Sequence, residues 1–268
     1  MHFRSKQSGQ AAVETAIVMP LNVFLILGII QLGLISQARY MAKYAAYRAV
    51  RVGAMNHADK AKMVSAAEAA LLPVVAFPRS GDKTGAALLT PTDSAGALAT
   101  KILRLRVENS FILVPGVKMI DVVTCGPTRA DVSSLTERNL TGVGSSKQVD
   151  FDDPRATMDL PNGWSPDSDL QKFLATKLRV QVQFYYVMAI PFANWIIAQS
   201  YMAMSVTNHL NLVSSSNVPR NMRANKVIIA YNAHVYVAPI FESYAMRMQS
   251  SIYTDKVPTS NNCVGWWK

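Results

Sequence analysis

The hydrophobic and polar positions fall into one long apolar run followed by shorter periodic segments. The run is Gly9 to Ser36, and Glu14 is the only ionisable residue between Lys6 and Arg39. A helix crosses the bilayer core with roughly 20 apolar residues at about 1.5 Å each, and Thr15 to Ala38 is long enough to do so. A secretory signal peptide has an apolar core of only about 7–15 residues, then a small-residue cleavage site. This run is longer and passes into a helical pattern without such a site, so it reads as a retained membrane anchor. Pro20 removes one backbone donor within it, which predicts a kink or loosened turn.

Past the run, Ala38, Ala42, Ala45, Ala46, Ala49 and Gly53 recur at spacings of three and four, a small-residue stripe on one helix face. Such a stripe suits close packing between membrane helices or an Ala-rich helix seated on its own domain. Tyr40, Tyr44 and Tyr47 stand where an aromatic belt belongs. Residues 56–59 read as a break, with Asp59 capping a second helix that ends before Pro73. Dense proline and glycine from Pro73 to Pro91 predicts a loop. A capped helix over 95–107 follows, then a strand over 117–125 whose alternation at Met119, Asp121 and Val123 predicts one wet face. Residues 126–170 are polar and Gly/Pro-marked, a long loop or irregular insertion. The strongest strand pattern is 177–190, with Val180, Val182, Phe184 and Tyr186 on one face and Arg179, Gln181 and Gln183 on the other. A helix over 192–204 carrying Trp195, a mixed segment over 225–236 and a last strand over 244–252 complete the pattern. The fold class is α+β: a long N-terminal transmembrane helix continuing into a small domain with an antiparallel sheet. The divisions are a basic leader at 1–9, a transmembrane helix at 10–38, a helical extension at 39–72 and an α+β domain at 73–268.

Gly9, Ala12, Glu14, Ala16, Val18, Pro20, Leu25, Gly28 and Gly33, followed by Ala42, Ala46, Arg48 and Ala49, form a recognisable set. The segment resembles the N-terminus of TadE/TadG-like proteins, pseudopilins or minor pilins of tight-adherence, type IVb-like pilus systems. Thr15 stands where that family often has an aromatic residue, and Gln31–Leu32 where it often has Glu–Phe. The short basic leader, Gly9 and the following Glu14 also resemble a prepilin peptidase site. The resemblance implies cleavage between Gly9 and Gln10 and a role for Glu14 in assembly, pairing with the new N-terminal amine of a neighbouring subunit. The physics agrees, because each charge would otherwise stand unpaired in hydrocarbon. An interfacial acid at a helix N-terminus is the plainer reading of Glu14. The resemblance further implies other pilin subunits, a prepilin peptidase, an inner-membrane platform, an assembly ATPase and membrane lipid as partners. It places the chain in the inner membrane, single-pass, with a cytoplasmic N-terminus, an extracytoplasmic domain and a mature form that enters a periplasmic or extracellular pilus. The positive-inside rule points the other way, because Arg39, Lys43, Arg48 and Arg51 follow the anchor while only Arg4 and Lys6 precede it. We follow the resemblance, which gives a structural or assembly subunit. The alternative is an uncleaved membrane-anchored binding module.

Charge and candidate chemistry change this picture little. The formal net charge is +10 and the pI about 9.7, but the basic residues form no block and no nucleic-acid motif accompanies them. Nucleic acid is not an expected partner. Cys125 and Cys263 have no CxxC spacing; in an oxidising compartment they are a candidate disulfide, with two buried thiols as the alternative. The four histidines are far apart and no nucleophile, phosphate-loop or dinucleotide motif occurs, so an enzyme is not expected. Asp150, Asp152 and Asp153 open an acidic stretch with enough oxygens for calcium. Lacking the EF-hand spacing, they read first as a solvated acidic loop and only second as a calcium site. No other cofactor is implied.

Overall fold

The computed structural model of the chain describes residues 8–78, 87–90, 92–111, 118–133, 148–149, 177–210, 227–261 and 263. Asp150, Asp152, Asp153 and the rest of that acidic stretch lie outside the described residues.

Helix α1 runs unbroken from Ser8 to Met55 and passes through Pro20. At 1.5 Å per residue it is roughly 72 Å long, so anchor and extension are one rod. Its proximal half is bare: Val13, Ile17, Leu21, Leu25 and Ile29 all stand in the open. Its distal half is core. Ala38, Ala42, Ala45, Ala46, Ala49, Val50 and Ala54 are completely buried. The small-residue stripe therefore seats α1 on its own domain and not on another membrane helix.

The end of α1 shows how its last carbonyls are satisfied. His57 and Ala58 adopt left-handed φ of 54° and 57°, turning the chain off the helix axis. Ala58 N–H then returns to the Gly53 carbonyl at 2.9 Å. The Ala54 carbonyl accepts from Gln249 N–H at 3.0 Å and from the Ser250 hydroxyl at 2.8 Å. Ser250 Oγ in turn accepts from His57 N–H at 2.9 Å. Helix α2 (Lys60–Leu71) starts where the sequence predicts, with the Asp59 carboxylate accepting from Ala61 N–H at 2.9 Å. It packs along α1.

A hairpin of β1 (Ala76–Pro78) and β2 (Ala87–Leu89) follows where a loop is predicted. Three-residue strands carry too little periodicity to stand out among prolines and glycines. Helix α3 (Ala95–Phe111) extends one turn past its predicted end, capped by Ser94 Oγ at 3.2 Å from Ala97 N–H. The Arg104 guanidinium lies 4.4 Å over the ring of buried Phe77, which ties α3 to the hairpin.

The main sheet has three strands: β3 (Ile120–Gly126), β5 (Lys177–Val187) at the centre and β6 (Val237–Arg247). Both pairings are antiparallel. The last strand is therefore displaced from 244–252 to 237–247. Pro239 hides its beginning, since proline argues against a strand interior; β6 is an edge strand, where proline is tolerated. A second correction concerns the polar face of β5. Gln181 and Gln183 are buried, not wet; both lie in the part of this central strand that has β3 on one side and β6 on the other. Short elements finish the domain: α4 (Arg129–Ser133), β4 (Gln148–Val149), α5 (Ala193–Leu210), a helical turn at 227–232, and β7 (Ile252–Tyr253), which pairs with β4. α1 lies across β5 and β6, which makes the helix-on-sheet core of an α+β fold.

Cys125 and Cys263 are joined, with Cα atoms 5.2 Å apart and a sequence separation of 138. Around them the same tail is stitched to α4, Arg129 N–H donating to the Pro258 carbonyl and Arg129 Nε to that of Thr254. Closing so large a loop restricts the unfolded chain, an effect of about 4–5 kcal/mol in the chain-entropy account.

Two predictions follow from this packing. A Cβ at Gly53 would stand 2.5 Å from Met63 Sδ and 2.9 Å from Leu178 Cδ2, so Gly53→Val should cost about 1–3 kcal/mol of stability, read in a denaturant titration. The second concerns Lys101, which is buried and donates Nζ to the Thr90 carbonyl at 2.9 Å. Burial lowers its pKa below the ordinary 10.5. Between the lowered folded value and 10.5 the unfolded chain holds a proton that the folded chain has released, so this residue's contribution to stability rises with pH through that window. Burial of the Tyr186 and Tyr236 phenols raises their pKa values and acts oppositely above 10.0. Those terms are common to Lys101→Met, so the melting temperature of the native chain should gain on that variant as pH climbs toward 10.5.

Candidate anchor and processing site

Gly9 and Gln10 lie in the first turn of α1, one turn ahead of Glu14. Glu14 is exposed and has no partner among the described residues. An ionised carboxylate on a bare apolar helix is poorly matched to lipid unless it sits near the headgroups or meets a positive group. Thus the helix presents its acid outward, available to a second molecule or to the interface, and no described residue of the domain supplies a cation for it.

The boundary between bare helix and domain is marked by Gln31, which the sequence offered only as a departure from the TadE/TadG-like pattern. Gln31 is completely buried. Its Oε1 accepts from Ile190 N–H at 3.0 Å, closing the backbone just before Pro191 ends the segment after β5. Its Nε2 has no hydrogen-bond partner among the described residues. Two turns further toward the N-terminus, Phe24 meets Phe192 edge-to-face with ring centroids 6.1 Å apart. Phe192 holds φ at 66°, a costly conformation for a bulky residue. It turns the chain into α5, with Ile196 N–H reaching back to the Phe192 carbonyl at 3.2 Å. The available signal was an amide inside an apolar run, a feature Asn22 shares. The Phe24–Phe192 contact joins residues too far apart in sequence for periodicity to reveal.

The tyrosines past the run are level with the sheet. Tyr47 packs edge-to-face on Tyr244 of β6 at 5.3 Å, and Arg48 reaches over the Tyr44 ring at 6.0 Å. Arg39 pairs with Glu242 at 3.8 Å, an exposed contact of small energetic weight.

Compared with known families, this helix has a clear counterpart. Residues 9–51 match the TadE-like protein family. The match starts at Gly9 and stops within the last turn of α1, so the TadE-like part is the anchor together with its seated extension. A TadE-like match suggests a Tad pilus-associated component. A TadE-like helix that is long and apolar enough to cross a membrane is consistent with a membrane anchor in such a component. Interaction with other pilus components is what the family implies. No curated protein and no solved structure matches the chain.

Removing the boundary acceptor tests how the TadE-like helix is held. Gln31→Leu keeps the volume but leaves Ile190 N–H without its acceptor. The expected cost is about 1–3 kcal/mol, measured as a lower thermal midpoint of the detergent-solubilised chain.

Proposed function

We propose that this chain is a minor pilin or pseudopilin of a tight-adherence, type IVb-like pilus. A prepilin peptidase removes residues 1–9, leaving Gln10 as the mature N-terminus. The chain waits in the inner membrane with its N-terminus cytoplasmic and its domain outside, then enters a pilus through its N-terminal helix. Glu14 pairs with the Gln10 amine of a neighbouring subunit. The other partners are the inner-membrane platform, the assembly ATPase and membrane lipid; no cofactor takes part.

The observation that carries this reading is the TadE-like match at residues 9–51, which begins on the glycine of the processing site. Glu14 supports it physically. It is exposed on a helix whose neighbours are Val13, Ile17 and Val18, all exposed apolar residues. A partner's amine would neutralise it where lipid cannot. The domain's size fits a minor subunit, because the helix alone would suffice for a fibre's repeating core.

The test is the N-terminal mass of membrane-extracted protein with and without the peptidase. The chain should begin at Gln10 only when the peptidase is present. Glu14→Ala should be processed and reach the membrane at normal levels, yet be lost from sheared pili. A chain beginning at Met1 in both strains would leave the uncleaved anchored binding module as the answer.

A further inference from the structure

We propose that the first turns of α5 are a second membrane-contacting element, dipping into the outer face of the bilayer beside the anchor. This rests on α1 spanning a bilayer and is independent of any role in a pilus.

The argument is one of depth. The apolar run of α1 begins at Gly9, just past Lys6. Domain atoms first flank the helix at Phe24, through Phe192, and Gln31 is already wholly enclosed. Among the described residues none of the domain is placed against α1 before Phe24, so the free stretch counted from Gly9 is about 15 residues or roughly 22 Å. The hydrocarbon core is about 30 Å thick. The remaining thickness, roughly 8 Å, has to fall along the part of α1 that α5 accompanies, and interfacial helices sink about 5–10 Å.

The residues at that level suit lipid. Phe192 is 62% exposed, Trp195 45% and Ile196 47%; they stand at spacings that form one helical face. Buried Ala193, Asn194 and Ala198 form the opposite, domain-facing side. Further along, the exposed face continues through Gln199 and Ser200, so it turns polar beyond Ile196. No Asp, Glu, Lys or Arg occurs anywhere in α5. An uncharged surface with a tryptophan and a phenylalanine at its tip has the chemistry of the headgroup boundary. Tyr40, Tyr44 and Tyr47 lie well beyond it, alongside the sheet, so the belt at the outer boundary is Phe192 and Trp195.

The experiment uses the full chain carrying Trp164→Phe, Trp266→Phe and Trp267→Phe, which leaves Trp195 as the sole tryptophan, reconstituted at high dilution in phosphatidylcholine vesicles. Shallow-brominated phosphatidylcholine should quench most of the Trp195 emission, aqueous iodide should quench little, and Ile196→Glu should reverse that order while circular dichroism stays unchanged. Quenching by iodide but not by brominated lipid overturns the proposal. Shielding from both reagents that disappears on further dilution overturns it in favour of a second copy of the chain on this face, and shielding that persists overturns it in favour of the domain itself. A companion chain with Leu21→Trp and Trp195→Phe checks the premise. If Leu21→Trp is quenched by deep-brominated lipid and Trp195 is not, docking alone fails. When neither is quenched, the spanning anchor falls and the proposal with it.

Discussion

The close seat of α1 on the sheet is the contact on which everything else in this protein depends. Six alanines, from Ala38 to Ala54, bring the helix backbone down onto β5 and β6. Each removes little apolar area by itself, but together they let larger groups close around them. Met63 and Leu178 meet over Gly53, where not even a methyl group fits without displacement. One rod therefore serves two solvents, lipid at one end and a packed core at the other. The TadE-like match, residues 9–51, spans the bare half of the rod and most of the seated one.

A consequence is that anchor and domain share no linker. Nothing between Ser8 and Met55 breaks the helix, so the domain's orientation to the bilayer follows from the rotation and tilt of α1. Gln31 marks where the environments change. A neutral amide can accept from Ile190 N–H inside a dry contact without burying a charge, whereas a carboxylate there would have to be protonated or paired. The left-handed turn at His57 and Ala58 and the Ser250 bridge fix the other end of the rod, so both limits of the seated segment are held by backbone hydrogen bonds.

Most of this arrangement was legible in the sequence, and the failures have identifiable causes. The apolar run, the Asp59 cap, the α3 start and β5 are strong local patterns, and each appears in its place. The stripe at Ala38–Gly53 was legible as a packing face but not in its partner, because small residues suit a neighbouring helix and a sheet equally. Pro239 concealed half of β6, and Gln181 and Gln183 looked wet because periodicity reports alternation and not what covers each face. Around the anchor, Gly9, Gln10 and Glu14 were named through the resemblance to TadE/TadG-like proteins, whereas Gln31 and Phe192 depend on contacts between distant segments. Those contacts exist only once the domain has folded.

The same logic bears on the basic residues after the anchor. Arg39, Lys43, Arg48 and Arg51 would, by charge counting alone, hold the domain in the cytoplasm. Three of the four have contacts in the folded chain, one with β6 and two one turn back on α1 itself. Arg39 faces Glu242, Arg48 lies over Tyr44, and Arg51 reaches the Tyr47 hydroxyl at 3.4 Å. Each contact is weak, but their common effect is to cover the aromatic flank of the seated helix with long amphipathic side chains whose stems pack while their heads stay wet. A residue with a packing role at that position is a poorer reporter of topology than one in a free loop. Their number thus has a folding explanation, and it leaves the side of the membrane to be decided by the leader and the anchor.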